Sequence, residues 1–342
     1  MNSPITESNG KHTSVISSSV TKGQAKKFSF EKNILSPYSD LMHHSYVPVR
    51  MAYNSFEPES SKGEESFNSA RSPIIFLHGL TSCKETWANI PQIFANKLKT
   101  KTYTVDARNH GDSGWSDFFS TDDLVNDLLF FMDAIHADRV ILIGHSMGGT
   151  IAIQMAIEAS ERVEMIIVEE MFVSRPPQIL LELPLMYVRL APIAVQMIPD
   201  DADDIQATHF ILDYVNKALP PGLANVHTPS KVDKSTMALR RSPDGRLSLK
   251  ANMAALEKSL MNPEGTIKEV HGTYSGPACF IYGNQSPFQV SLDSDKITKC
   301  FPNAIFIGID NAKHTVHSDN PPAFISAALQ FLVNNTALKN RL

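Results

Sequence analysis

The chain has 342 residues, of which 42% are hydrophobic, and a formal net charge of −5. This length suits one α/β domain with an insertion, and the slightly acidic balance does not favour a nucleic-acid or anionic-membrane partner. No apolar run reaches about 18 residues, so we expect no membrane-spanning helix. The three cysteines, Cys83, Cys279 and Cys300, are few and widely spaced, which argues against a disulfide framework or a metal cluster.

Residues 1–36 form a serine-rich N-terminal segment with few large apolar side chains. Such a composition cannot bury a core and predicts a disordered tail or a targeting segment. The segment is poor in acidic residues but contains lysine rather than arginine, so it fits a mitochondrial transit peptide only in part. A solvated tail on a cytoplasmic protein is the alternative.

Short apolar runs bounded by turn residues alternate with helical patterns along the chain. The runs lie at residues 73–79, 101–107, 139–145, 163–170, 277–283 and 303–310. Continuous apolarity is typical of parallel strands that are buried on both faces. We therefore predict an α/β fold, with a mostly parallel central sheet covered by helices on both faces, built from residues 37–171 and 264–342.

Residues 172–263 interrupt this alternation with proline-punctuated apolar segments that contain no similar strand. A stretch of this length inside a compact domain should be a structured insertion rather than a loop. We interpret it as a mostly helical lid over the carboxyl end of the sheet, and we call it the lid insertion. A packed helical subdomain without a gating role is the alternative.

Ser146 lies in the pentapeptide Gly-His-Ser-Met-Gly between a predicted strand and a predicted helix. In a nucleophile elbow, the serine sits on a tight turn that exposes its hydroxyl at the top of the sheet. This pattern predicts that Ser146 is a catalytic nucleophile.

An acyl-transfer serine also needs N–H donors for the oxyanion that forms at the attacked carbonyl. We assign this role to the backbone N–H groups of Met147, which follows the serine, and of Leu80, in the loop after the first predicted strand. His78 lies in the same loop, and we interpret it as a residue that shapes the turn.

In enzymes whose serine lies on such an elbow, the catalytic residues follow one another along the chain in the order serine, acid, histidine. The histidine base should therefore lie late in this chain. His314 and His317 both follow the last predicted strand, and we favour His314 because it comes first. The stretch after the penultimate strand holds no carboxylate before Asp293. The acid should therefore be Glu169 or Glu170, two carboxylates at the end of a buried strand, which are costly there unless they have partners.

Four segments, FLHGLTSCKETW, TVDARNHGDSGWS, GHSMGG and AKHTVHSDNPPAF, together resemble one branch of the α/β-hydrolase superfamily. The branch includes mitochondrial abhydrolase-domain proteins, bacterial acyl thioesterase-type esterases and yeast ethanol acetyltransferases, and the resemblance covers about residues 37–340. It implies an α/β-hydrolase fold with a lid and a mitochondrial location. It selects Glu170 as the acid, where the branch usually has aspartate, and His314 as the base.

These assignments predict a serine hydrolase that forms an acyl-serine intermediate from a small-molecule, short-chain ester or thioester. Water or a small alcohol would accept the acyl group, and no metal or bound cofactor is implied. An alcohol acetyltransferase would use the same groups with acetyl-CoA as a substrate and ethanol as the acceptor. A non-catalytic ligand-binding protein on the same fold is the alternative from another class.

Overall fold

The computed structural model describes residues 46–59, 71–175, 178–220, 228–229, 232, 235–262 and 269–336. The predicted N-terminal tail lies outside these ranges, so its targeting role stays a prediction. None of the helices in the described ranges is both long enough and apolar enough to cross a membrane.

Seven strands from the described ranges form the central sheet. In chain order they are β1 (Tyr53–Phe56), β2 (Ile74–Leu77), β3 (Thr102–Val105), β4 (Val140–His145), β5 (Val163–Glu169), β8 (Ala278–Gly283) and β9 (Ala304–Ile309). Their order in the sheet is β1-β3-β2-β4-β5-β8-β9; β1 pairs antiparallel with β3, and every other pairing is parallel. The six predicted strands are all present, and the prediction of a mostly parallel sheet is confirmed.

Helices connect the strands and cover both faces of the sheet. They are α1 (Ile90–Leu98), α2 (Thr121–Ala134), α3 (Met147–Glu158), α7 (Ser294–Cys300), α8 (Val316–Asp319) and α9 (Pro321–Asn335). Alternate side chains of β2, β4, β5 and β8 pack with α1 and α9 in one continuous apolar core. α3 lies against β4 and β5 on the opposite face, with α2 beside it.

α2 begins with a reciprocal cap between Ser120 and Asp123. Ser120 Oγ accepts a hydrogen bond from the Asp123 N–H at 3.2 Å, and the Asp123 carboxylate accepts one from the Ser120 N–H at 3.1 Å. This reciprocal pair satisfies two N–H groups at the helix start that have no partner within the helix.

The chain between β5 and β8 contains α4 (Gln178–Val195), α5 (Asp204–Ala218), the antiparallel strands β6 (Leu239–Arg241) and β7 (Leu247–Leu249), and α6 (Met253–Leu260). The sequence did not predict the small hairpin of β6 and β7, because each strand has three residues and Leu239–Arg241 is not an apolar run. Edge strand β1 was missed for a related reason: its side chains are largely exposed, so it lacks the apolar signal of the buried strands.

Residues 106–113, which follow β3 and form the DARNHGDS motif, are held in place by buried ion pairs. Asp106 binds Lys84, with 2.7 Å between the carboxylate and Nζ, and also accepts the Lys84 backbone N–H at 2.7 Å. Arg108 makes a two-pronged contact with Asp127 at 2.6 and 2.9 Å. Gly111 has φ +58°, and a Cβ there would lie 2.1 Å from the Asp106 carboxylate, so only glycine fits. The motif is therefore structural and fixes the loops beneath the candidate site.

Candidate active site

Ser146 occupies a strained turn between β4 and α3. Its φ is 51° and its ψ is −113°, a backbone conformation that side-chain-bearing residues rarely adopt. The turn needs glycine on both sides, because a Cβ on Gly144 would lie 2.1 Å from the Gly148 carbonyl oxygen, and one on Gly148 would lie 2.2 Å from the Leu77 carbonyl oxygen. Backbone strain of this kind is stored where the surrounding structure requires it, and it concentrates at functional sites.

Ser146 and His314 line the same cavity, whose volume is about 740 Å³. This volume lies within the range of about 300–1,000 Å³ that is usual for small-molecule sites. Most of the lining surface is apolar, and the lid insertion contributes to its wall. Apolar lining residues include Leu124, Ile153, Phe172, Leu180, Leu212 and Phe288. The cavity thus lies between the carboxyl end of the sheet and the lid insertion.

Glu170 is the buried partner of His314. Its Oε2 lies 3.2 Å from His314 Nδ1, and both side chains are almost fully inaccessible to solvent. The same carboxylate accepts the Gly283 N–H at 2.7 Å and the Ser286 hydroxyl at 2.6 Å. When Glu170 is ionised, it holds the proton of His314 on Nδ1 and leaves Nε2 able to accept another.

Burial opposes charge on both members of this pair. It raises the pKa of the Glu170 carboxyl to about 8, although the hydrogen bonds from Ser286 and Gly283 lower it. Burial likewise lowers the pKa of the His314 imidazole to about 3, and the neighbouring His317 acts in the same direction. His314 is therefore neutral at physiological pH, as a general base must be.

Glu169 binds the other histidine of the same loop. Its carboxylate accepts the backbone N–H of His317 at 2.8 Å and contacts His317 Nδ1 at 2.8 Å. Burial raises the pKa of Glu169, but the contacts with His317 and the nearby imidazole of His145 outweigh it and keep that pKa below its usual range. His145 Nε2 lies 2.8 Å from the His314 carbonyl oxygen, so the residue before Ser146 also holds the backbone of His314.

The loop after β8 supplies contacts that the sequence did not reveal. Besides the Ser286 hydroxyl, it places the ring of Phe288 over His314, with 4.0 Å between the ring centroids and 23° between the planes. Neither residue belongs to a periodic pattern or motif, so no sequence signal identified them. Asp293, the first carboxylate of this region, instead accepts the backbone N–H groups of Val173 and Ser174 at 3.0 Å each.

The predicted oxyanion donors lie on two elements that border the cavity. Leu80 and Met147 both line it, and Met147 is the first residue of α3, where N–H groups have no partner within the helix. His78 is buried beside Leu80; its Nε2 accepts the Ala107 N–H at 3.1 Å, and its Nδ1 lies 2.8 Å from the Gly79 carbonyl oxygen. These contacts agree with the interpretation that His78 shapes the loop.

Within the described ranges, no group of three or more His, Cys, Asp or Glu side chains is arranged so that it could hold a metal ion.

Comparison with known proteins links this arrangement to one large family. The family model described as alpha/beta hydrolase fold matches residues 72–321. A Danio rerio protein named sn-1-specific diacylglycerol lipase ABHD11 is 27% identical over 285 residues, which is 83% of each chain. Ethanol acetyltransferase 1 of Cyberlindnera jadinii is 26% identical over 310 residues, or 86% of this chain and 89% of that protein.

Solved structures agree with the family match. A structure titled marine microorganism esterase is 25% identical, with a TM-score of 0.62 over 83% of this chain and 99% of the other. An esterase from Thermogutta terrifontis has a TM-score of 0.57 at 15% identity, covering 84% and 94% of the two chains, and supports the fold alone. The predicted fold class, resemblance and enzyme class are confirmed.

Proposed function

Because this chain belongs to the alpha/beta hydrolase fold family, we propose that it transfers acyl groups through an ester formed on Ser146. The observation that supports this most directly is the placement of Ser146, on a strained turn, in one cavity with His314, whose Nδ1 lies 3.2 Å from the buried carboxylate of Glu170. The same three types of side chain act together in serine hydrolases of several unrelated folds.

In the proposed reaction, Ser146 Oγ attacks the carbonyl carbon of an ester while His314 Nε2 takes the hydroxyl proton. The carbonyl electrons move onto oxygen, which the N–H groups of Leu80 and Met147 stabilise. The imidazolium, stabilised by Glu170, protonates the leaving alcohol as the carbon–oxygen bond breaks. A water molecule, which gives a proton to His314, then attacks the acyl-serine. The carboxylic acid leaves, and Ser146 regains its proton from His314. These steps need no cofactor.

The cavity favours a neutral ester as the substrate. Its lining is mostly apolar, and Arg175 is the only lysine or arginine among the lining residues that the structure describes. A volume of about 740 Å³ leaves room for a group far larger than acetyl. We therefore extend the expectation of short-chain esters to lipid-like esters, in keeping with the name of the Danio rerio relative.

Transfer to an alcohol is the second candidate function. Here ethanol would replace water as the acceptor, and acetyl-CoA or another thioester would be the donor. Two curated relatives, from Cyberlindnera jadinii and Cyberlindnera fabianii, are named ethanol acetyltransferase 1, at 26% and 24% identity. The mostly apolar lining supports this candidate, since an apolar surface favours a small alcohol over water as the acceptor.

The experiment that tests the proposal is product analysis with two donors. The enzyme is given a neutral ester series of increasing acyl length or acetyl-CoA, each with and without ethanol, beside Ser146→Ala. We expect free acid from the esters, with longer chains turned over more efficiently. Accumulation of ethyl acetate from acetyl-CoA would establish the transferase, whereas acetate and free CoA at every ethanol concentration would exclude it. Tight ester binding without any product would instead indicate a ligand-binding protein.

A further inference from the structure

We infer that Phe288 is a positioning residue whose aromatic face stabilises the imidazolium form of His314 during acyl transfer. This role depends on the proposed function, in which His314 takes the proton of Ser146 and briefly carries a positive charge. It gives the loop after β8 a part in the chemistry, although the first carboxylate of that loop, Asp293, binds elsewhere.

The ring of Phe288 lies against one face of the His314 imidazole. The ring centroids are 4.0 Å apart and the planes are inclined by only 23°, so the two rings stack. The face of an aromatic ring carries the negative part of its quadrupole, and it attracts a cation that lies within about 6 Å of the centroid. The contact with Phe288 should therefore stabilise His314 more when the imidazole is charged than when it is neutral.

The surroundings of His314 otherwise disfavour a positive charge. Its side chain is 2% exposed, and burial lowers the pKa of the imidazole to about 3. The imidazole of His145 lies 4.9 Å away between ring centroids, and His317 lowers the pKa of His314 further. Two carboxylates act in the opposite direction: Glu170 contacts Nδ1 at 3.2 Å, and Asp319 raises the pKa of His314. Because a cation–π contact is strongest where water is excluded, an aromatic face adds most at a site of this kind.

One short turn, residues 286–288, places both the ring and a hydrogen bond to the acid. Ser286 Oγ accepts the Phe288 N–H at 3.2 Å and donates its own hydrogen to Glu170 Oε2 at 2.6 Å. The turn therefore holds the carboxylate that contacts His314 Nδ1 and, two residues later, the ring that covers the face of the same imidazole.

The contribution of Phe288 should appear in the rate rather than in the binding of the ester. The imidazole is neutral before the reaction, so the attraction of the ring for a positive charge is gained only as the proton moves to His314. An interaction that is stronger in the transition state than in the ground state raises kcat. Weakening the ring face should therefore lower kcat and leave KM nearly unchanged, even though Phe288 also lines the cavity.

The test replaces Phe288 by 4-fluoro-, 3,5-difluoro- and 3,4,5-trifluorophenylalanine, beside Phe288→Leu. Fluorine withdraws electron density from the ring face while the ring keeps nearly its size, so the series weakens the attraction for a cation and preserves the packing. The same fluorinated residues at Phe306 are the matched control. Phe306 is a partly buried phenylalanine that stacks on Phe280 with 27° between the planes, and it is not among the described residues that line the cavity.

Three measurements are made on each protein. Active-site titration with a fluorophosphonate first gives the concentration of reactive Ser146. Steady-state kinetics with a p-nitrophenyl ester then give kcat and KM. An NMR titration of His314 in the adduct of Ser146 with a trifluoromethyl ketone, which mimics the tetrahedral intermediate, reports the pKa of the imidazolium directly.

We expect kcat to fall stepwise with the number of fluorines at position 288, by about tenfold for the trifluorinated ring and for Phe288→Leu, with KM nearly unchanged. The pKa of His314 in the ketone adduct should fall in the same order, and the Phe306 series should resemble the wild type. A kcat that is unaffected by fluorination, even if Phe288→Leu is slow, would show that the ring only packs and would overturn the inference, as would a rise in KM alone. Absence of labelling at Ser146 in the wild type would instead remove the proposed function and the inference with it.

Discussion

Glu169 and Glu170 are adjacent in the sequence, yet each binds a different histidine of one loop. Glu170 lies at the end of β5 with φ 55°, and this positive φ turns its carboxylate to His314, whereas Glu169 binds His317. The pair ties the end of β5 to the loop that carries the proposed base at two points. One contact is proposed to serve the chemistry, and the other fixes the loop.

The first prediction separates these roles by comparing Glu170→Gln with Glu169→Gln. In Glu170→Gln the amide favours the wrong tautomer of His314, and the corresponding change in a serine protease costs about 10⁴ in kcat. In Glu169→Gln the loss of a buried charge that faces His317 should lower the free energy of unfolding by about 3 kcal/mol or more. Urea denaturation and ester hydrolysis, measured on both variants, give the two effects.

The two variants should therefore differ in opposite ways. Glu170→Gln should be inactive but stably folded, while Glu169→Gln should be less stable but active below its unfolding transition. An inactive Glu169→Gln beside an active Glu170→Gln would reverse the assignment of the acid. Loss of activity in Asp293→Asn, with both glutamine variants active, would move the acid to the loop after β8.

The second prediction concerns the dependence of kcat/KM on pH. Activity requires ionised Glu170 and neutral His314; because the pKa of Glu170 is about 8 and that of His314 about 3, the rise of activity with pH should follow Glu170. Ser286→Ala removes a hydrogen bond that lowers the pKa of Glu170, so the rise should move to higher pH. Ser291→Ala, an exposed serine nearby, should leave it in place.

A rise centred at the ordinary histidine pKa of about 6.5, unchanged in Ser286→Ala, would show that Glu170 does not control the profile.

The ionisation of Glu170 also affects the stability of the fold. The pKa of Glu170 is raised from 4.5 to about 8 in the folded protein, so this group's contribution to stability is complete below pH 4.5 and is lost as the pH rises through 8.

The strands and the catalytic motifs could be predicted from sequence because their signals are local. Buried parallel strands appear as continuous apolar runs, and the turn around Ser146 requires glycine at fixed positions. The choice between Glu169 and Glu170 could not be made from the residues alone. Successive side chains of a strand point to opposite faces, which suggests that only one of the two glutamates faces a histidine. In the structure, the positive φ of Glu170 lets both do so.

Contacts between distant loops had no such signal. Ser286 and Phe288 reach Glu170 and His314 only because β5, β8 and β9 are neighbours in the sheet. The resemblance to known hydrolases selected Glu170, but it did not identify these supporting residues.

The third prediction tests whether the DARNHGDS motif is structural. Arg108→Lys keeps the charge but cannot reproduce the two-pronged contact with Asp127, and it leaves buried carboxylates with poorer partners. The free energy of unfolding should fall by about 3 kcal/mol. Arg189→Lys, at an exposed pair with Glu257, is the matched control and should change it by less than about 1 kcal/mol. Equal effects of the two changes would contradict this role.

The most direct test of the proposed mechanism is covalent labelling with a fluorophosphonate, followed by mass spectrometry of the peptides. The acyl-serine mechanism predicts one label per chain, on Ser146, and neither labelling nor ester hydrolysis in a folded Ser146→Ala variant. Removal of the nucleophile in a well-studied serine protease lowers kcat by about a millionfold. A label on another residue, or a folded Ser146→Ala that retains a few per cent of wild-type hydrolysis, would contradict the acyl-serine mechanism.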